Sequence, residues 1–208
     1  EDARLVSLSG KLASSLIGSY TLNSDDQREA FDQVQVTAEI REYVDIPWLA
    51  NHVLAFRAAG GVSFGDRLRY GSFRLGGNYG ESSYYVLPDE YISLRGWPVA
   101  AASGDWYYLS SAEYRFPIWR IDRGTGTIPI FFRTLHGAIF ADVGSAFDDP
   151  NQPELPLLGT GTELRMTSIL GWGLPIQARL GYAFALFPSG GISPTSPATW
   201  YFRLGTSF

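Results

Sequence analysis

Ser111, His136 and Asp142 are the residues of this chain whose types suit a nucleophile, a base and an orienting acid. No Gly-x-Ser-x-Gly elbow frames the serine, and the other histidine, His52, falls by alternation on the apolar side of its segment, near a turn. With no cysteine at all, disulfides, thiolate catalysis and zinc–thiolate sites are removed together. Two separated histidines supply no clustered metal-ligand set. The expectation is therefore a protein that is not an enzyme, with no catalytic residue, no metal and no cofactor. A different chemistry recurs along the chain: Arg41, Arg57, Arg115, Arg165, Arg179 and Arg203, with Glu39, Glu113, Asp142 and Glu163, stand on the polar side of alternating segments. Such a set either satisfies itself as an internal network or lines an aqueous path that favours anions.

The elements that must carry these charges are strands. Splitting the sequence by parity gives a period of two over 4–22, 31–43, 52–64, 107–118, 133–147, 159–170, 174–187 and 199–208. In 31–43, for example, Val34, Val36, Ala38 and Ile40 oppose Gln33, Gln35, Thr37, Glu39 and Arg41. In the last segment Trp200, Phe202, Leu204 and Phe208 oppose Tyr201, Arg203 and Ser207. If the first strand runs outward, the far-side connections are 23–30, 66–105, 148–158 and 188–198. The near-side ones are 44–51, 119–132 and 171–173, of which 119–132 is the long exception. Antiparallel strands of about ten residues, even in number and with long loops on one side, are the pattern of an outer-membrane β-barrel. Tyr43, Trp48, Trp119, Trp172 and Trp200 would suit interfacial girdles.

Composition narrows the class further. The 208 residues fit one domain, here 1–208 with the long loop 66–105. Only 18% are charged while 45% are hydrophobic and 15% aromatic, against about 25% charged in an average soluble domain. No apolar run approaches the roughly 18 residues a membrane helix needs. A net charge of −5 argues against nucleic acid as a partner. A soluble barrel of lipocalin type would have to swallow the Tyr, Phe and Leu of eight long strands, in a lumen that fits alternating large and small side chains, and is overfilled. The acidic Glu1 and Asp2 do not read as a signal peptide, so export has to be inferred from the barrel itself.

Several motifs then follow one another in order. Phe73-Arg74-Leu75-Gly76-Gly77 precedes Leu94-Arg95-Gly96-Trp97. Ser111-Ala112-Glu113-Tyr114-Arg115-Phe116-Pro117 and Gly137-Ala138-Ile139-Phe140-Ala141-Asp142-Val143-Gly144 come next, and Tyr201-Phe202-Arg203-Leu204-Gly205-Thr206-Ser207-Phe208 comes last. Together they resemble the C-terminal half of the BamA/TamA superfamily of outer-membrane barrels, also described as the bacterial surface antigen domain. The resemblance implies that Arg95, Gly96 and Trp97 form the tip of a loop folded back into the lumen, with Glu113, Phe140 and Asp142 receiving Arg95. It also implies that Phe202, Leu204, Gly205 and Phe208 form the terminal β-signal read by the assembly machinery. Trp97 stands where the family usually has Phe or Tyr.

The family pattern has sixteen strands and soluble periplasmic POTRA domains ahead of them, with eleven strands before this loop and five after; here three strands precede the loop and five follow. Three arrangements are open: a piece of a longer barrel, a half-barrel closed to sixteen strands by a second copy or another chain, or a small closed eight-stranded barrel with its loop outside. In relatives the seam between first and last strands can open, and Gly10, Gly18 and Gly205 would weaken packing there. The expected function is insertion or translocation of protein or lipid at the bacterial outer membrane, with both termini periplasmic. Its expected partners are outer-membrane lipid, the assembly machinery, and a second copy or partner chain that closes the barrel. A passive pore is the alternative, and a small lipid-modifying enzyme a weaker one.

Overall fold

A computed structural model describes residues 2–22, 28–66, 72–77, 91–152, 154–171, 173–186 and 198–206. The chain is all-β, and its strands in order are β1 (Ala3–Ala13), β2 (Tyr20–Leu22), β3 (Arg28–Ala30), β4 (Gln33–Asp45), β5 (Val53–Gly65), β6 (Phe73–Leu75), β7 (Tyr91–Ile92), β8 (Ala102–Gly104), β9 (Trp106–Thr125), β10 (Ile128–Phe147), β11 (Leu157–Leu170), β12 (Leu174–Leu186) and β13 (Ala198–Thr206). Eight of them form one sheet in the order β1-β4-β5-β9-β10-β11-β12-β13. Every pairing in it is antiparallel. These eight strands fall on the eight alternating segments, because a period of two sets each face of a strand against one environment. Among the described residues no helix is long and apolar enough to cross a membrane.

The sheet is open. Among the described residues nothing pairs the free edge of β1 with that of β13, so the small closed eight-stranded barrel is not the arrangement found. β1 carries the mark of this most plainly: every residue from Ala3 to Leu12 is exposed, on both faces. An even number of antiparallel strands also leaves the start of β1 and the end of β13 at the same end of the sheet.

Two boundaries differ from the alternation reading. The first strand stops at Ala13, where the Ser14 side chain accepts from the Leu16 amide and caps a single 3-10 turn, Ser15–Ile17, followed by Gly18 in the left-handed region. Gly18 therefore belongs to this turn and not to a seam strand. The 119–132 connection is itself mostly strand: β9 and β10 run for 20 residues each and turn only at 126–127. Register shifts between Ile128 and Phe131, Phe132 and Thr134, and Leu135 and His136 move side chains out of phase, which hides the period.

The two faces of the sheet differ. On the outer face Leu8 is 76% exposed and Phe202 is 65% exposed, and Ile40, Phe56, Ile139, Leu164 and Leu180 are exposed as well. An apolar face spread over so many strands exceeds the patches that monomeric soluble proteins leave in water. The inner face holds the loop between β5 and β9. There β6 pairs in parallel with β7 and antiparallel with β8. Phe73, Leu75, Ile92, Leu94, Trp97 and Ala102 bury themselves with Ala59, Tyr107, Leu109, Ala146 and Leu157 of the large sheet and its margin.

Candidate functional site

Cross-strand register assembles the site, because residues directly opposite on one face touch their neighbours. One inner row reads Arg41, Arg57, Ser111, Asp142, Gly159 and Ala185 across β4 to β12. The next reads Tyr43, Ala55, Glu113, Phe140, Gly161 and Ala183. The one after it reads Val53, Arg115, Ala138, Glu163, Gly181 and Tyr201, from β5 to β13. Large side chains therefore stand beside glycines. A Cβ at Gly161 would press on the Phe140 ring, and one at Gly181 would strike the Tyr201 ring.

Arg95 is delivered onto this floor and is only 1% exposed. Its Nε donates to Asp142 Oδ2 at 2.6 Å and its Nη2 to Asp142 Oδ1 at 2.6 Å, the two-pronged geometry that suits a guanidinium to a carboxylate. Nη1 donates to Glu113 Oε2 at 3.2 Å and Nη2 to Ser111 Oγ at 3.2 Å, while the Ser111 hydroxyl itself donates to Asp142 at 2.5 Å. The guanidinium carbon lies 3.5 Å from the centre of the Phe140 ring, a cation–π contact in a desolvated place. Charge, hydrogen bonds and ring face together offset the cost of burying the cation.

The loop backbone aims the arginine. Gly76 and Gly77 both have positive φ; the Gly77 amide donates to the Trp97 carbonyl at 3.0 Å, and Ser93 Oγ donates to the Gly77 carbonyl at 2.9 Å. The aromatic-x-x-Gly-Gly and Leu-Arg-Gly-Trp segments are thus two sides of one small structure. Gly96 sits at φ +90, where a Cβ would come within 2.7 Å of the Phe184 carbonyl carbon. Gly159 matters from the other side, since a Cβ there would collide with the Arg95 carbonyl oxygen. Trp97 is buried and donates its Nε1–H to the Leu158 carbonyl at 2.8 Å.

Around Arg95, Glu113, Phe140 and Asp142 the network extends to groups that the motifs alone do not single out. Glu163 lies 3.9 Å from Arg95 Nη1, accepts from the Tyr201 hydroxyl at 2.8 Å, and pairs with Arg165. Arg165 Nη2 also reaches Glu113 at 2.6 Å. Three carboxylates therefore share Arg95, Arg115, Arg165 and Arg179 in one cluster. Parity puts Glu163 and Tyr201 on the inner face, which is the available signal. Their meeting with Arg95 depends on the register of β11 and β13, which composition and spacing do not encode.

The Ser–His–Asp grouping of the weaker, enzymatic alternative does not come together. Ser111 and Asp142 are hydrogen-bonded, but His136 stands six residues back along β10 from Asp142, about 20 Å at the rise of a strand. It is cross-strand from Arg165 and does not approach Ser111 as a base would. His52 Nδ1 lies 2.7 Å from the Tyr114 hydroxyl. Tyr43 is not a girdle residue: it points inward, and the Arg115 guanidinium lies 5.3 Å from its ring centre. Trp48, Trp119 and Trp200 are exposed. Of the terminal motif, Phe202 and Leu204 are exposed on the outer face and Gly205 lies opposite Gln177. Trp172 and Phe208 lie outside the described residues. No family model matches this chain, and no curated protein matches it either.

Proposed function

We propose that the chain is half of a sixteen-stranded outer-membrane barrel of BamA/TamA type, acting in the insertion or translocation of protein or lipid. The observation that carries this reading is Arg95, held by Asp142 and Glu113 at the tip of a loop folded onto the inner face. A loop anchored by a buried ion pair fills and braces a wide lumen, and eight strands alone enclose room for side chains only. The apolar outer face suits hydrocarbon, and the two open edges do not, since unpaired backbone groups cost several kcal/mol each in lipid. Eight further strands meet both requirements. Because β1 and β13 run in opposite directions, a second copy related by a twofold axis along the barrel pairs β13 of each with β1 of the other. Both copies then keep their termini on one side, which in this reading is the periplasm.

The test is reconstitution of the purified chain into liposomes, with the folding of an unfolded outer-membrane barrel followed by gel shift. Acceleration over empty liposomes, lost in Arg95→Ala, is expected. A steady ion conductance with no acceleration would replace this reading by the passive pore. The arginines of the inner face are the observation that favours that second reading.

A further inference from the structure

The chain as a whole is acidic, yet one part of its inner face is strongly basic. A cavity of 340 Å³ is lined by Arg41, Arg57, Arg115, Arg165, Arg179 and Arg203, with Glu113 the only carboxylate among its described lining residues. Just outside it, Glu39 pairs with Arg41 and Arg57, and Glu163 with Arg165 and Arg179. Glu113 is already shared by Arg95, Arg115 and Arg165, and Asp142 is held by Arg95. Toward β13, then, with Arg95 and Asp142 paired to each other and left aside, Arg115, Arg165, Arg179 and Arg203 stand against Glu113 and Glu163 among the described residues, an excess of positive charge.

That excess is built by register. His136, Arg165, Arg179 and Arg203 lie directly opposite one another across β10, β11, β12 and β13, so three guanidinium groups stand in one row. Like charges in directly opposed positions destabilise a sheet unless a counter-charge sits among them. Among the described residues no carboxylate pairs with Arg203, which is exposed at the end of the row. Closure by a second copy adds none from β1, whose inner positions are Ala3, Leu5, Ser7, Ser9, Lys11 and Ala13 by their register with β4.

We propose that Arg179 and Arg203, backed by Arg165, form a binding site for a multivalent phosphate-type oxyanion. The planar forks of two arginines match the paired oxygens of phosphate; Arg179 Nε donates to Gln177 Oε1 at 2.7 Å, and among the described residues the carboxylates that reach the row, Glu113 and Glu163, are fewer than its arginines. The site depends neither on the Arg95 anchor nor on an insertion role, so it can fail or stand separately from them.

Isothermal titration calorimetry on the full chain in zwitterionic detergent, with inorganic tripolyphosphate at low salt, tests it. Saturable binding is expected, weakened about tenfold or more in Arg203→Gln and in Arg179→Gln, the loss that follows from removing a hydrogen bond between charged groups. Arg203→Lys should fall between. Arg123→Gln, on the exposed end of the β9–β10 hairpin, should bind as the parent does. Competition by phosphatidic acid in mixed micelles, absent with phosphatidylcholine, would assign the anion to a lipid headgroup; lack of competition would assign it to a soluble phosphate compound. No saturable binding in the parent chain, or an equal loss in Arg123→Gln, overturns the proposal.

Discussion

Replacing Arg95 by alanine should damage the loop through the carboxylate it leaves behind more than through the contacts it removes. Glu113 keeps Arg115 and Arg165, and Glu163 keeps Arg165 and Tyr201, so both remain compensated. Asp142, 3% exposed, loses both prongs of the guanidinium and keeps the Ser111 hydroxyl and the long bond from the residue-95 amide at 3.4 Å. Removing one partner from a buried pair costs about 3–5 kcal/mol. Asp142→Ala should cost about the same, because among the described residues Arg95 then has Glu113 at 3.2 Å and Glu163 at 3.9 Å as its remaining carboxylates. The double substitution leaves neither charge stranded, so its cost should fall short of the sum by about 2–3 kcal/mol. Arg95→Lys should recover less than half, since an ammonium cannot make the two-pronged contact. Leu94 and Trp97 flank the arginine and are buried, each contributing about 1.5–3 kcal/mol. The loop should therefore loosen around 94–97 without leaving the sheet. Denaturant titration in detergent gives the free energies of the parent, the two single variants and the double one, and hydrogen exchange at residues 94–97 locates the change. Additivity within about 0.5 kcal/mol would refute the reasoning.

Other substitutions probe the same packing from different directions. Gly159→Ala places a Cβ against the Arg95 carbonyl and should reproduce the hydrogen-exchange pattern of Arg95→Ala with every charge intact; unchanged exchange at 94–97 contradicts it. Gly181→Ala should push the Tyr201 ring off Glu163, costing about 1–3 kcal/mol and speeding exchange in β13. Asp32, outside the large sheet, accepts from the Ser15 amide at 2.7 Å, and this bond, with those from the Ser14 and Ser15 side chains, holds its pKa below the usual carboxylate range. A lowered folded-state pKa means the turn is stabilised above the ordinary aspartate value and loses that support as pH falls through the lowered one. Amide exchange at Ser15, corrected for intrinsic rates, should then rise on acidification in the parent and be flat in Asp32→Asn.

How much of the molecule is legible in the sequence depends on distance along the chain. Period two is a local signal, and it places all eight strands of the large sheet and puts Glu113, Asp142 and Arg165 on one face. It fails at 119–132, where bulges shift the phase and Pro129 falls in a gap of the β9–β10 register, so a continuing hairpin reads as a loop. At Tyr43 it prevails over aromatic character, which suggests a membrane interface, since parity places the residue in the inner row with Glu113. Register is a non-local property. Whether Gly159 lies under Arg95, whether Tyr201 reaches Glu163, and whether three arginines fall in one row all depend on pairings between strands up to dozens of residues apart. Openness of the sheet is not legible either, because strand count alone permits a closed small barrel as well as half of a large one.

The central claim, that the chain is a half-barrel whose free edges find strands to pair with, is tested most directly by the protein mass of the folded particle in detergent, corrected for bound detergent. The account predicts about twice the 22.9 kDa of one chain, with single cysteines introduced in β1 and β13 crosslinking between copies, a clean readout in a chain with none of its own. A fully folded particle of one chain, with both edges open to exchange, would contradict it.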